Sequence, residues 1–316
     1  MSQPPNKKLL LFGSGFISRF IALAAINSGI EPIVLYKNHH LEDMDQVRQV
    51  CLANCDLQEF LATTKPDYII SLQGNSFVPD NNHLIESLNS NLMITLSFME
   101  EVMLLIERKT ISPERIILVG SSGEYGRTYN QPISETFSLH ATSIYGLTKI
   151  FLFNTAMYYS EKGLPVLYAR QFNCTGSYQR ADFVVPSICR QIVQIEKGIK
   201  EALTIGDTSQ ERDFIDVRDA AEAYILLLKQ GKTGEIYNIG TGHAVSVEDV
   251  LNRAILCSKS KEKIAVTSNS NLFFEKTSLS KTMCADITKL AALGFQPAHT
   301  IDDTIRDILE FWRQHV

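Results

Sequence analysis

Residues 8–25 read KLLLFGSGFISRFIALAA: an unbroken apolar run from Leu9 to Phe12, a glycine turn, then Phe16, Ile17, Phe20, Ile21, Leu23 and Ala24 at helical spacing. That order predicts strand, tight turn and helix. Working outward, Pro32 to Tyr36, Asp67 to Leu72, Arg115 to Val119 and Leu164 to Arg170 are further apolar runs, each after a polar or helical stretch. Strands that alternate with helices must pair in parallel, because each crossover returns the chain to the same end of the sheet. The fold class expected is α/β, a Rossmann-type doubly wound parallel sheet over residues 1–170. After Arg170 the pattern loosens into loops, a helix around Pro186 to Glu196 and short pieces between glycines. A smaller C-terminal substrate-binding lobe is expected over 171–316, with segments around 210–245 returning to the first domain. Ile301 to Trp312 carries its apolar residues on one helical face.

Composition narrows the function classes. A chain of 316 residues, 45% apolar and 21% charged, can build a sizeable core. Its net charge of −5 argues against a general grip on nucleic acid. No run approaches the roughly 18 apolar residues of a membrane span, and MSQPPNKK has no export pattern; a cytoplasmic location without membrane partners is expected. The six cysteines are scattered without zinc spacing, so no metal site is expected.

Gly13, Gly15 and Ser18 form GxGxxS between strand and helix. The glycines allow a tight turn and close backbone approach, and the helix N-terminus attracts a pyrophosphate, with Phe16 and Ile17 in its first turn. Ser18 stands where a third Gly is usual. An acid at the end of the second strand would accept the ribose hydroxyls of NAD; here Lys37 stands in that region, and Arg19 can reach the same corner. Both cations favour NADP, with NAD possible, although each is also compatible with a solvated surface charge.

Tyr145 and Lys149 lie one turn apart in TSIYGLTKIFLFNTA, hence on one helical face. An ammonium beside a phenol favours the phenolate, making Tyr a usable acid or base. Such a pair alone is also an ordinary surface feature. Upstream, RIILVGSSGEYG delivers Ser121 and Ser122 at the C-terminal end of a buried strand, where α/β sheets bind ligands; two serines there can equally cap the turn.

Together these motifs resemble the extended short-chain dehydrogenase/reductase family, the nucleotide-sugar epimerases, dehydratases and reductases. The resemblance runs through GSGFIS, Asp56 with Leu57, SLQGNSFV from Ser71, NLMIT from Asn91, SSGEYG, Tyr145 to Lys149, RQFNCTG from Arg170, RDFIDVRD from Arg212 and EIYNIGTG from Glu235. It implies Tyr145 as proton donor or acceptor, Lys149 as its electrostatic partner and Ser121 as the hydroxyl that orients the sugar oxygen. It implies Asp56 and Leu57 at the adenine, Leu72, Gln73 and Asn91 beside the cofactor, and Asn173 at the substrate. Arg212 matches a diphosphate ligand, and Lys276 stands where the family has a second Arg, keeping charge without the bidentate fork. A homodimer through the active-site helix and the one before it is likewise a family implication.

Within the family, QFNCTGSYQRADFVVPSICRQI is most similar to the branch that reduces GDP-4-keto-6-deoxymannose, which would put Gln179, Arg180, Asp182 and Phe183 at the nucleotide and Ser122 near the sugar. Ser177 and Tyr178 replace that branch's Pro and Gly. Dehydratases carry an acid two residues after the catalytic hydroxyl. Counting back from Tyr125 makes Ser121 that hydroxyl and leaves Gly123 at the acid position; a one-residue deletion would instead give Ser122 and Glu124. The expected activity is NADPH-dependent reduction of the 4-keto group of a nucleotide-linked 6-deoxyhexulose. Its rivals are a 4-epimerase with tightly bound NAD, a 4,6-dehydratase and a non-catalytic cofactor sensor.

Overall fold

The computed structural model describes residues 6–74, 83–126, 132–260, 264–268 and 281–316. The chain forms two compact units, the first made of residues 1–124, 143–170 and 221–237, the second of 125–142, 171–220 and 238–316.

The elements run β1 (Lys8–Phe12), α1 (Phe16–Asn27), β2 (Glu31–Tyr36), β3 (Arg48–Cys51), α2 (Leu57–Thr64), β4 (Tyr68–Ser71), α3 (Leu84–Leu88), α4 (Ile94–Glu107), β5 (Arg115–Ser121), α5 (Ile144–Glu161) and β6 (Val166–Gln171). They continue with β7 (Asn173–Thr175), α6 (Val184–Glu196), β8 (Ala202–Ile205), β9 (Glu211–Arg212), β10 (Phe214–Asp216), α7 (Val217–Gln230), β11 (Ile236–Ile239), β12 (Val245–Ser246), α8 (Val247–Leu256), β13 (Ala265–Ser268), β14 (Thr282–Met283), α9 (Thr288–Ala291) and α10 (Ile301–His315).

A seven-stranded parallel sheet in the order β11-β6-β5-β4-β1-β2-β3 is the expected Rossmann-type architecture. Leu9 to Phe12 are fully buried, as the continuous apolar run requires of a strand covered on both faces. β1 pairs in parallel with β2 (Phe12 opposite Leu35) and with β4 (Phe12 opposite Ser71), so the strand order reverses about β1. That crevice is where such sheets bind ligands. Phe12 stacks on Phe98 of α4 at 4.3 Å between ring centroids, in a core with Leu10, Ile69, Ile116 and Leu118. Each such side chain contributes about 1.5–3 kcal/mol by leaving water. Sequence reading missed β3, an edge strand whose residues are only half-buried or exposed.

In the second unit β7 pairs with β10, β8 with β13, and β9 lies between β12 and β14. α6, α8 and α10 enclose Ile188, Ile192, Val250, Ile305 and Leu309. α10 opens with a capping box between Thr300 and Asp303. Asp213, fully buried, gathers the backbone N–H groups of Thr241 (2.8 Å), Gly242 (3.0 Å) and Ala285 (3.1 Å). Among the described residues, no helix is long and apolar enough to cross a membrane.

Candidate active site

The glycine turn follows β1. Gly13 has φ +122°, and a β-carbon there would lie 3.3 Å from the Leu72 main-chain carbon, so only Gly suits both the dihedral and the gap. Gly15 is the N-cap of α1, is exposed, and has open space where a β-carbon would stand. No acid occupies the first turn of α1, which carries Phe16 and Ile17, both half-buried. A helix start with these properties fits a pyrophosphate. Ser18, the departure from a third Gly, is fully buried and donates to the Gly13 carbonyl at 2.7 Å, closing the turn with its hydroxyl. Lys37 is exposed just after β2. Arg19 is buried, and its guanidinium donates to the Glu42 carbonyl, in the loop that follows Lys37. Asp56 is exposed and caps α2 by accepting the Glu59 N–H at 2.9 Å, with Leu57 half-buried beside it. Leu72 and Gln73, half-buried, follow β4 next to the Gly13 turn. These residues fit a dinucleotide.

Ser143 caps α5 by accepting the Gly146 N–H at 3.1 Å, which fixes the start of the helix that carries Tyr145 and Lys149. Tyr145 is hydrogen-bonded to Ser121 at the end of β5. Burial pushes the phenol up to about 12; the Ser121 hydrogen bond pulls the other way and the charge of Glu124 adds to the rise. Lys149 is buried, and burial lowers its ammonium to about 8 against the opposing charge of Glu124. Its Nζ donates to the Val119 carbonyl at 2.9 Å and lies 5.8 Å from the Tyr145 ring centroid. Asn91 is buried in a π-helical turn before α4. Gly74, with φ +142°, comes so near that a β-carbon there would lie 3.3 Å from Lys149 Nζ and 3.5 Å from Asn91 Oδ1. Ser121, Tyr145, Lys149 and Asn91 are thus one constellation, and Gly74 is a member that sequence reading did not single out.

Positions 122 to 124 form a single 3-10 turn, and their side chains divide. A β-carbon at Gly123 would lie 3.4 Å from Ser121 Oγ and 3.8 Å from the Tyr145 ring, so this position faces the pair. Glu124, fully buried, instead ion-pairs with Arg170 at 2.8 Å and accepts the Ser121 N–H and the Tyr168 hydroxyl, each at 2.8 Å. Ser122 is buried at the start of the turn.

In the second unit, Asn173 Oδ1 is buried without a hydrogen-bond partner among the described residues. Gln179 accepts from the Thr175 hydroxyl (2.8 Å) and donates to the Cys174 carbonyl (2.9 Å). Arg180 is exposed and pairs with Asp182. Phe183 is the N-cap of α6, whose Val184, Ser187, Ile188 and Gln191 line a cavity of about 220 Å³ with Lys200 and Thr204. Arg212 is buried and donates to the carbonyls of Glu211 (2.8 Å) and Lys281 (3.3 Å) and to Gln210 Oε1 (2.6 Å). Lys276 lies outside the described residues.

A doubly wound sheet with a glycine turn after its first strand, and a Ser, Tyr and Lys cluster between its fifth strand and following helix, defines a short-chain dehydrogenase/reductase of the extended kind. The chain belongs to the GDP-mannose 4,6 dehydratase family, whose model matches residues 15–308. It is 27% identical to GDP-6-deoxy-D-mannose reductase of Pseudomonas aeruginosa over 79% of this chain and 82% of that one. It is equally 27% identical to GDP-6-deoxy-D-talose 4-dehydrogenase of Aggregatibacter actinomycetemcomitans, over 81% of this chain and 82% of the relative. The structure of RMD from Pseudomonas aeruginosa complexed with NADPH superposes with a TM-score of 0.79 at 23% identity, covering 97% of this chain and 99% of the other.

Proposed function

We propose that this protein is an NADPH-dependent reductase of the 4-keto group of a nucleotide-linked 6-deoxyhexulose, with GDP-4-keto-6-deoxymannose the first substrate to test. The sequence relative named a GDP-6-deoxy-D-mannose reductase supports the reaction class. The observation that carries the reading is Gly123: the position that faces Ser121 and Tyr145 has no side chain, while the neighbouring acid, Glu124, is held by Arg170. A dehydratase needs an acid at that place to move a carbon-bound proton; a reductase needs only a proton for oxygen.

When bound, NADPH supplies the hydride for the carbonyl carbon. The glycine turn and the α1 N-terminus would hold its pyrophosphate, Arg19 and Lys37 would bind the ribose phosphate, and Asp56, Leu57, Leu72, Gln73 and Asn91 would bind the rest of the cofactor. Ser121 hydrogen-bonds the substrate carbonyl oxygen. Tyr145, a phenol protonated at neutral pH and raised further by burial to about 12, donates its phenolic proton to the developing alkoxide. Lys149 stabilises the phenolate that remains. Arg212 and Lys276 bind the diphosphate, and Ser122, Asn173, Gln179, Arg180 and Phe183 the sugar and nucleoside. We also assign the protein to the cytoplasm as a homodimer.

The test adds GDP-4-keto-6-deoxymannose to the purified protein with NADPH or NADH and follows the reduced nicotinamide. Stoichiometric NADPH loss with a 6-deoxyhexose product is expected. No loss with either cofactor, together with an isomerised sugar and NAD carried through purification, overturns the reading in favour of an epimerase.

A further inference from the structure

The Glu124–Arg170 ion pair is buried at both ends, with side chains 0% and 1% exposed. Glu124 Oε1 accepts the Ser121 N–H and the Tyr168 hydroxyl, and Oε2 accepts Arg170 Nε. Burial raises the Glu124 carboxyl, and the Arg170 guanidinium and the Ser121 N–H pull the other way, towards the carboxylate. The Tyr168 hydroxyl also reaches the Lys149 main-chain carbonyl at 3.0 Å. One carboxylate therefore joins the strand end that carries Ser121 to the helical turn that carries Lys149, through Tyr168 of β6. Space for it exists because position 120 is Gly: a β-carbon there would overlap both Glu124 Oε1 and the Tyr168 hydroxyl. Arg170 is further enclosed by the Phe153 ring, 4.6 Å from its guanidinium carbon.

A buried ion pair is an expensive way to fill a core, since apolar residues of the same volume commonly do as well. We propose that Glu124 is a positioning residue: its buried carboxylate, fixed by Arg170, holds Ser121 and Lys149 in register. The proposal rests on the reductase reading for its catalytic consequence. Among the described residues, the titratable groups around Lys149 are Glu124 from the β5 turn and Tyr145 from its own helix, with Tyr168 and Arg170 of β6 behind Glu124; Gly74 and Asn91 approach as neutral groups. Glu124 opposes the lowering of Lys149 by burial and adds to the rise at Tyr145.

The experiment compares wild type with Glu124→Gln, and with Glu124→Gln combined with Arg170→Gln, which leaves no unpaired buried charge if the single variant fails to fold. Turnover and NADPH affinity are measured from pH 6 to 10. The expected result is a kcat about tenfold or more below wild type with KM nearly unchanged, and an alkaline limb, in both turnover and NADPH binding, displaced to lower pH. Variants with wild-type kcat and an unmoved limb overturn the proposal. So does a parallel loss of kcat, substrate affinity and melting temperature with the limb in place, which is the behaviour of a merely structural pair. NADPH binding reports the limb even when the wild type fails to reduce the 4-keto sugar, so failure of the reductase reading and failure of this one are read separately.

Discussion

Lys149 donates to the Val119 carbonyl at 2.9 Å, so the cation of α5 is tied to β5 two residues before Ser121. Its burial favours the neutral amine and brings it to about 8, whereas Tyr145 stands near 12. Of the two, Lys149 is the one that titrates in the working range. Reduction should be level below about pH 8 and fall as pH rises through that value, because the ammonium that stabilises the phenolate is lost. A pH profile of kcat/KM with NADPH checks this; a level profile up to pH 10 contradicts it.

Replacing Tyr145 by Phe removes the proton donor and keeps the ring. Turnover should drop by about 10²- to 10⁴-fold, the usual worth of a general acid. NADPH binding, followed by nicotinamide fluorescence, should remain. A cofactor sensor would respond to NADPH as the wild type does and show no turnover to lose.

Cofactor choice is expected to turn on the exposed Lys37 after β2. With Lys37→Asp, an acid meets the ribose where NADP carries its phosphate. The ratio of kcat/KM for NADPH over NADH should fall by about tenfold or more, corresponding to about 1.4 kcal/mol. Arg19, buried and held by the Glu42 carbonyl, remains as the second cation. An unchanged ratio would take Lys37 out of the cofactor site.

Tyr178 has φ +67°, a conformation suited to Gly, and its ring lies 4.7 Å from Phe311. The backbone strain costs about 1–2 kcal/mol, and the aromatic contact returns about 0.5–1.5 kcal/mol. Tyr178→Gly should therefore be nearly neutral in urea unfolding. Tyr178→Ala keeps the strain, loses the ring, and should be about 1 kcal/mol less stable than the Gly variant.

The sheet was legible where apolar runs are continuous, as in Leu9 to Phe12 and Arg115 to Val119, because a strand covered on both faces has no polar positions. β3 escaped because Arg48 is exposed and Gln49 to Cys51 are only half-buried at the edge, which erases that signal. Tyr145 and Lys149 could be paired by helical spacing alone. The Glu124 and Arg170 contact could not, since the two stand 46 positions apart in the chain and their pairing depends on the sheet being assembled. Gly74 and Gly120 were quoted only within longer segments; what makes each matter is a neighbour brought close by the fold. Ser18 looked like a defect in the phosphate turn, and its hydroxyl closes that turn by another route.

Asp213 gathers N–H groups from Thr241, Gly242 and Ala285, and β9 pairs with β14 while α6 packs against α10. During synthesis, then, the second unit cannot finish folding until residues 281–316 have left the ribosome. A nascent chain stalled earlier would leave a buried carboxylate without one of its donors and an apolar helix face uncovered, and it would be a natural client for chaperones.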